Sequence, residues 1–212
     1  VVRSYLPDPN IVAQDIQAQL LENLNINATI NVMESGAFLD AADSGSLTGL
    51  HLLGWGADYP DQTNFLDYHF GAGSSAQFGD QWEDLTTVLA EAASLAGDDA
   101  RAPLYEQANN LIKEHIPMVP VAHGGSGAAY LATVENAHVS PLGNEYFAAM
   151  NPGKDTFVWM QNAEPISLYC ADETDGESLR ACEQVTEALL SYEIGGTAAQ
   201  PGLATGCEPN ED

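Results

Sequence analysis

The sequence predicts an α/β chain, and three observations carry that prediction. Short β-prone runs alternate with helical patterns through the first 55 residues, a strand, helix, strand, helix, strand order that builds a parallel or mixed sheet covered by helices. Apolar residues recur at the 3.6-residue spacing of buried helical faces in three longer segments. Hydrophobic residues make up 45% of the 212 positions, enough to fill a core.

In chain order, Val1 to Tyr5 is expected to form a strand that Pro7-Asp8-Pro9 ends. Asn10 to Leu24 follows as a helix, with Ile11, Val12, Ile16, Leu20, Leu21 and Leu24 as its apolar positions. Ala28 to Met33 is a second strand, Phe38 to Ala42 a short helix, and Leu50 to Trp55 a third, fully apolar strand. A long loop rich in Gly, Asp, Asn and aromatics then runs from Gly56 to about Gly79, and a loop of that length inside a domain points to function.

Two helices follow that loop. Trp82 to Ala96 keeps Trp82, Leu85, Val88, Leu89, Ala92 and Leu95 in register, and Asp98 or Asp99 is expected to cap a helix over Ala100 to Glu114 that Pro117 stops. Met118 to Ala122 should return as a strand before the Gly124-Gly125-Ser126-Gly127 turn. Asn151-Pro152-Gly153-Lys154 is the strongest break in the chain. Thr156 to Met160 then reads as a strand, Ser178 to Tyr192 as a helix, and Gly195 to Asp212 as a loop-like tail with an acidic end.

Charge bounds the function more sharply than length does. Five Lys and Arg stand against 31 Asp and Glu, a formal net charge of -26. Such a chain lacks the cations that displace counterions from a phosphate backbone, so nucleic acid is excluded as a partner and an anionic membrane surface is disfavoured. The acidity itself fits solubility or tolerance of salt. No stretch approaches the ~20 apolar residues of a membrane span. No basic and apolar leader stands at Val1, so a secretion signal is expected to have been removed or to lie outside this chain.

Cys170 and Cys182 flank a short polar segment, and a disulfide closing it is sterically reasonable if the backbone turns back; three unpaired thiols are the alternative. Cys207 is left over, as a free thiol or as half of a bridge to a partner or segment that the chain does not contain. His123-Gly124-Gly125-Ser126-Gly127 has the look of an esterase oxyanion element, yet Ala128 stands where a nucleophile elbow around Ser126 needs its last glycine, so no enzyme is expected. His51, His69, His115, His123 and His138 lack zinc-site spacings, and Asp172, Glu173, Asp175 and Glu177 lack the calcium-loop pattern, so no metal and no cofactor is expected.

The segment Leu53-Gly54-Trp55-Gly56-Ala57-Asp58-Tyr59-Pro60-Asp61, followed by Asn64-Phe65-Leu66, resembles the extracytoplasmic solute-binding proteins that deliver peptides and similar solutes to ABC importers. Tyr5-Leu6-Pro7-Asp8 and Ile16 to Leu20 before it extend the likeness, as do Arg101 to Tyr105 and Pro117 to Val121 after it. Together these cover most of residues 1 to 147. Glu164 to Leu168, Glu187 to Tyr192 and Pro201 to Ala204 resemble the start of a mature protein of the same family, although here they follow the Trp-Gly-Ala-Asp-Tyr region instead of preceding it. That order implies a circular permutation, one piece of a tandem, or a partial chain.

The resemblance implies a two-lobed, type II periplasmic-binding-protein-like α/β fold, or a partial version of it, whose lobes close over a solute. It divides the chain into a lobe at 1–122, a hinge and crossover at 123–154, and a piece of the other lobe at 155–212. It implies non-catalytic binding of a peptide or another amine-bearing solute outside the cytoplasm, followed by docking to a permease. Asp58 matches the family's anchor for a free α-amino group, with Trp55 and Tyr59 beside it as flat faces and Glu164 on the facing side. Asp61 and Asn64 are expected to close an Asx turn. The alternative class is an assembly role, in which an incomplete lobe pairs with another chain through exposed strand edges.

Overall fold

The computed structural model describes residues 1–4 and 10–208, so the Tyr5 to Pro9 part of the first strand and its stop, and the acidic end after Glu208, lie outside the described residues. The chain divides into two units: Val1–Trp55 with Asp61–Val121, and Gly56–Pro60 with Ala122–Asp212.

In the first unit, β1 (Val2–Arg3) pairs in parallel with β2 (Val32–Met33). Between them stands α1 (Asn10–Leu24), at the bounds its periodicity predicts. Its apolar positions are not a buried face, however: Ile11 and Leu24 are 61% and 63% exposed. The amide groups of Val2 and Ser4 bond to the β2 side, at 2.9 Å each to Asn31 and Met33. Val1 faces the other way, donating to Leu50 O at 2.6 Å and accepting from Leu52 N–H at 3.1 Å. The expected third strand at Leu50 to Trp55 is thereby corrected: the backbone makes a parallel step beside Val1 there, and no strand forms over 50–55 among the described residues.

Helix α2 (Ser35–Asp43) is longer than expected, since the Glu34 carboxylate accepts from Ala37 N–H and starts it early. The segment read as one long loop holds regular turns: a 3₁₀ turn at Gln62–Asn64, α3 (Asp67–Phe70) and a second 3₁₀ turn at Ala76–Phe78. Helices α4 (Glu83–Ala93) and α5 (Asp98–His115) then pack on each other. Leu85, Val88, Leu89 and Ala92 of α4 meet Tyr105, Ala108 and Ile112 of α5, with Phe70 joining from α3. Burying some eight such side chains, at roughly 1.5 to 3 kcal/mol for each large one, is the main stabilising term of this unit.

Asp98 and Asp99 do not cap α5. Gly97 holds the cap position at φ 84°, a conformation that side-chain-bearing residues avoid, and both carboxylates fall in the first helical turn, where the helix dipole favours them. The helix ends with Ile116 left-handed at φ 52°, its N–H still bonded to Ile112 O at 2.9 Å, and Pro117 prevents continuation.

Four further expectations are corrected from the end of the first unit onward. Met118 to Ala122, at the junction of the two units, and Thr156 to Met160 form no strand among the described residues. The latter still alternates as a pleat, with Phe157 and Trp159 half-buried and Val158 and Met160 exposed, but no neighbouring strand bonds to it. The helix expected over 178–192 is α6 (Gly176–Glu183) alone, started by Asp175, whose carboxylate accepts from Ser178 N–H at 3.1 Å. Gln184 ends it by turning its side chain to Phe147 N–H and Glu145 O. The supposed tail then pairs β3 (Leu190–Tyr192) antiparallel with β4 (Ala199–Pro201), a hairpin whose connection contains Gly195 at φ 72°. Cys170 and Cys182 are joined as a disulfide with Cα atoms 5.5 Å apart, and Cys207 is an exposed free thiol.

Candidate ligand-binding site

The aromatic segment that opens the predicted site is positioned by a turn. Asp61 accepts from both the backbone N–H and the hydroxyl of Thr63, at 2.9 and 2.8 Å, which folds Gln62–Asn64 into a 3₁₀ turn as the Asx reading expects. The turn buries Asn64, whose Oδ1 accepts the indole N–H of Trp55 at 3.0 Å. One face of the Trp55 ring stacks on Tyr68 at 4.7 Å, and its environment is completed by the edge of His69 at 4.5 Å. Trp55 is therefore fixed in orientation, with one of its flat faces already used.

Asp61 has a second task that sequence reasoning missed. Its two oxygens accept from both terminal nitrogens of Arg101 on α5, at 2.8 and 2.6 Å, and Arg101 also donates to the Tyr105 hydroxyl at 3.3 Å. This bidentate guanidinium holds the Asp61 carboxyl well below the usual carboxylate range. Asp67 next to it moves the other way, pushed up by burial. The available signal was scarcity: Arg101 is one of only five basic residues in the chain.

His69 is buried at 7% exposure among rings, edge-on to Trp55, Tyr68 and Phe78. Neither ring nitrogen has a hydrogen-bond partner among the described residues, and burial pushes its pKa down to about 4. At neutral pH it is an uncharged packing residue. No three His, Cys, Asp or Glu side chains cluster as a metal site among the described residues.

Asp58 and Tyr59 belong to the second unit, as does Glu164, whereas Trp55 belongs to the first. Asp58 is half-buried, Tyr59 presents its ring at 39% exposure, and Glu164 is exposed. Burial raises the pKa of Tyr192, with Glu183 and Tyr59 adding to the shift. Elsewhere in this unit Arg180 on α6 meets the buried Glu145 at 3.3 Å, donates to Gly143 O at 2.5 Å, and lies over the Trp159 ring at 5.4 Å. His123 and Ser126 sit exposed in a stretch without regular structure.

No family model matches the chain. Among curated proteins it is 32% identical over 147 residues to di/tripeptide-binding protein 4 of Pseudomonas aeruginosa, a match that covers 68% of this chain and 27% of that protein. Heme-binding protein A of Haemophilus influenzae is 28% identical over 152 residues, 69% of this chain and 27% of its own length. The peptide transport periplasmic protein SapA of Salmonella typhimurium is 27% identical over 157 residues, 72% of this chain and 28% of its own. The chain thus spans little more than a quarter of the relatives it matches.

Proposed function

Over the matched two thirds of its length this chain belongs to the peptide-binding family of solute-binding proteins, and from that membership we propose that it binds a peptide or another amine-bearing solute outside the cytoplasm for delivery to the permease of an ABC importer. The single observation behind this reading is the similarity to proteins named for binding di- and tripeptides and for peptide transport. A heme-binding relative at similar identity leaves the solute class wider than peptides. In this reading the two lobes of the family's fold are represented by 1–122 and 155–212, joined through 123–154, and the solute is released chemically unchanged.

Asp58 is the proposed anchor for the solute's ammonium, and Trp55, Tyr59 and Glu164 are proposed as further solute-binding residues. The exposed ring of Tyr59 offers a flat face, and the indole of Trp55, held by its hydrogen bond, binds a side chain at small entropic cost; both support the assignment. A charge-assisted hydrogen bond contributes about 1.5–3 kcal/mol, so Asp58→Asn should weaken dipeptide binding roughly tenfold to a hundredfold in calorimetry. An N-acetylated dipeptide should lose the same amount against the unaltered chain. Equal affinities across these comparisons reject the anchor.

A second reading, assembly with another chain, is favoured by the uncovered apolar residues of α1 and by the exposed Cys207 thiol, which a partner or further segment would pair. Light scattering on the eluting protein separates the two: a ligand-responsive monomer supports solute binding, and a ligand-indifferent oligomer supports assembly.

A further inference from the structure

We propose that the groove between the Gln62–Leu66 turn and α5 is a second binding site, for a small organic amine that carries an apolar group. The groove is open to solvent, offers about 500 Å³, within the range of small-molecule pockets, and lies wholly in the first unit. One wall presents Gln62 and Phe65; the other is an α5 stripe of Glu106, Asn109 and Asn110, spaced i, i+3 and i+4 so that all three share one face. The Asp61–Arg101 ion pair ties the two walls together, because Asp61 begins the turn and Arg101 rises from the helix. A groove held open this way binds without first having to order itself.

The lining chooses the ligand class. Among the described residues no basic side chain lines the groove and Glu106 is its one ionised group, so anions are disfavoured and an ammonium is favoured. Gln62, Glu106 and Asn110 make no side-chain hydrogen bond among the described residues, and Asn109 uses only its amide N–H on Tyr105 O at 2.9 Å, leaving its oxygen as an acceptor. Phe65, 43% exposed, supplies an apolar face and a π surface for the cation.

Nuclear magnetic resonance titration of the full chain with phenethylamine, phenethyl alcohol and phenylacetate tests the site. Shifts should concentrate on Phe65, Glu106, Asn109 and Asn110, with the amine binding about threefold tighter than the alcohol and the anion weakest, as expected for one exposed carboxylate. Glu106→Gln should erase the preference for the amine, and Phe65→Ala should weaken amine and alcohol alike. Asp58→Asn should change neither, which keeps this site separate from the solute anchor proposed above. Shifts centred elsewhere, an amine preference that survives Glu106→Gln, or a response to Asp58→Asn would overturn the proposal.

Discussion

A proton added to His69 would place a cation among Trp55, Tyr68 and Phe78 with no acceptor for either N–H among the described residues. The unfolded chain takes up that proton near pH 6.5, while the folded state resists it until about 4. In that window the unfolded state binds more protons, so stability falls as pH falls from 6.5 toward 4. Asp61 responds lower on the scale: its depressed carboxyl contributes stability above its unfolded value and loses it only as acid overcomes Arg101. His69→Phe should therefore remove about 2 kcal/mol of the stability lost between pH 7 and pH 4.5, read from urea melts at the two values. Equal losses in both proteins would mean that His69 is hydrated or paired.

Elements set by their own side chains were legible in the sequence, and elements set by distant partners were not. Helix α1 begins and ends where its pattern does, and α4 buries the Leu85, Val88, Leu89 and Ala92 stripe that its spacing announces. The end of α6 was invisible because Gln184 closes it on Phe147 and Glu145, nearly forty residues earlier in the chain. Thr156 to Met160 alternates in burial as a strand would, but a strand also needs a neighbour, and no local pattern reports one. At the site the Asx turn was local and readable, while the Arg101 ion pair spans 40 residues and was not.

The Cys170–Cys182 bridge belongs to this same scale. It closes a loop of sequence separation 12 around the start of α6, so removing it frees the unfolded segment and should cost about 3 kcal/mol. A Cys170→Ala, Cys182→Ala chain should show faster hydrogen exchange at Leu179 to Glu183, with α4 and α5 unaffected. Unchanged exchange in α6 would show that Ser178 and Arg180 hold the helix by themselves.

For the whole molecule, charge dominates. Three of the five basic residues are engaged inside the fold: Arg3 with Ser35, Arg101 with Asp61 and Arg180 with Glu145. Most of the 31 acidic side chains consequently repel one another across the surface. Screening shortens from about 10 Å at 0.1 M salt to about 3 Å at 1 M, so the melting temperature should rise by several degrees between these conditions. A flat or falling melting temperature would show that the exposed carboxylates are too far apart for repulsion to matter.

The three tryptophans lie in three different contacts: Trp55 against His69, Trp82 stacked on His115 at 4.8 Å, and Trp159 beneath Arg180. Each indole consequently carries its own spectroscopic signature. Protonated imidazole quenches indole emission, so the Trp55 signal falls only as acid reaches His69, near pH 4. Trp159 alone belongs to the second unit. A chain with Trp55 and Trp82 changed to Phe becomes a single-lamp optical probe, in which the colour of one emission band follows the second unit independently of the first.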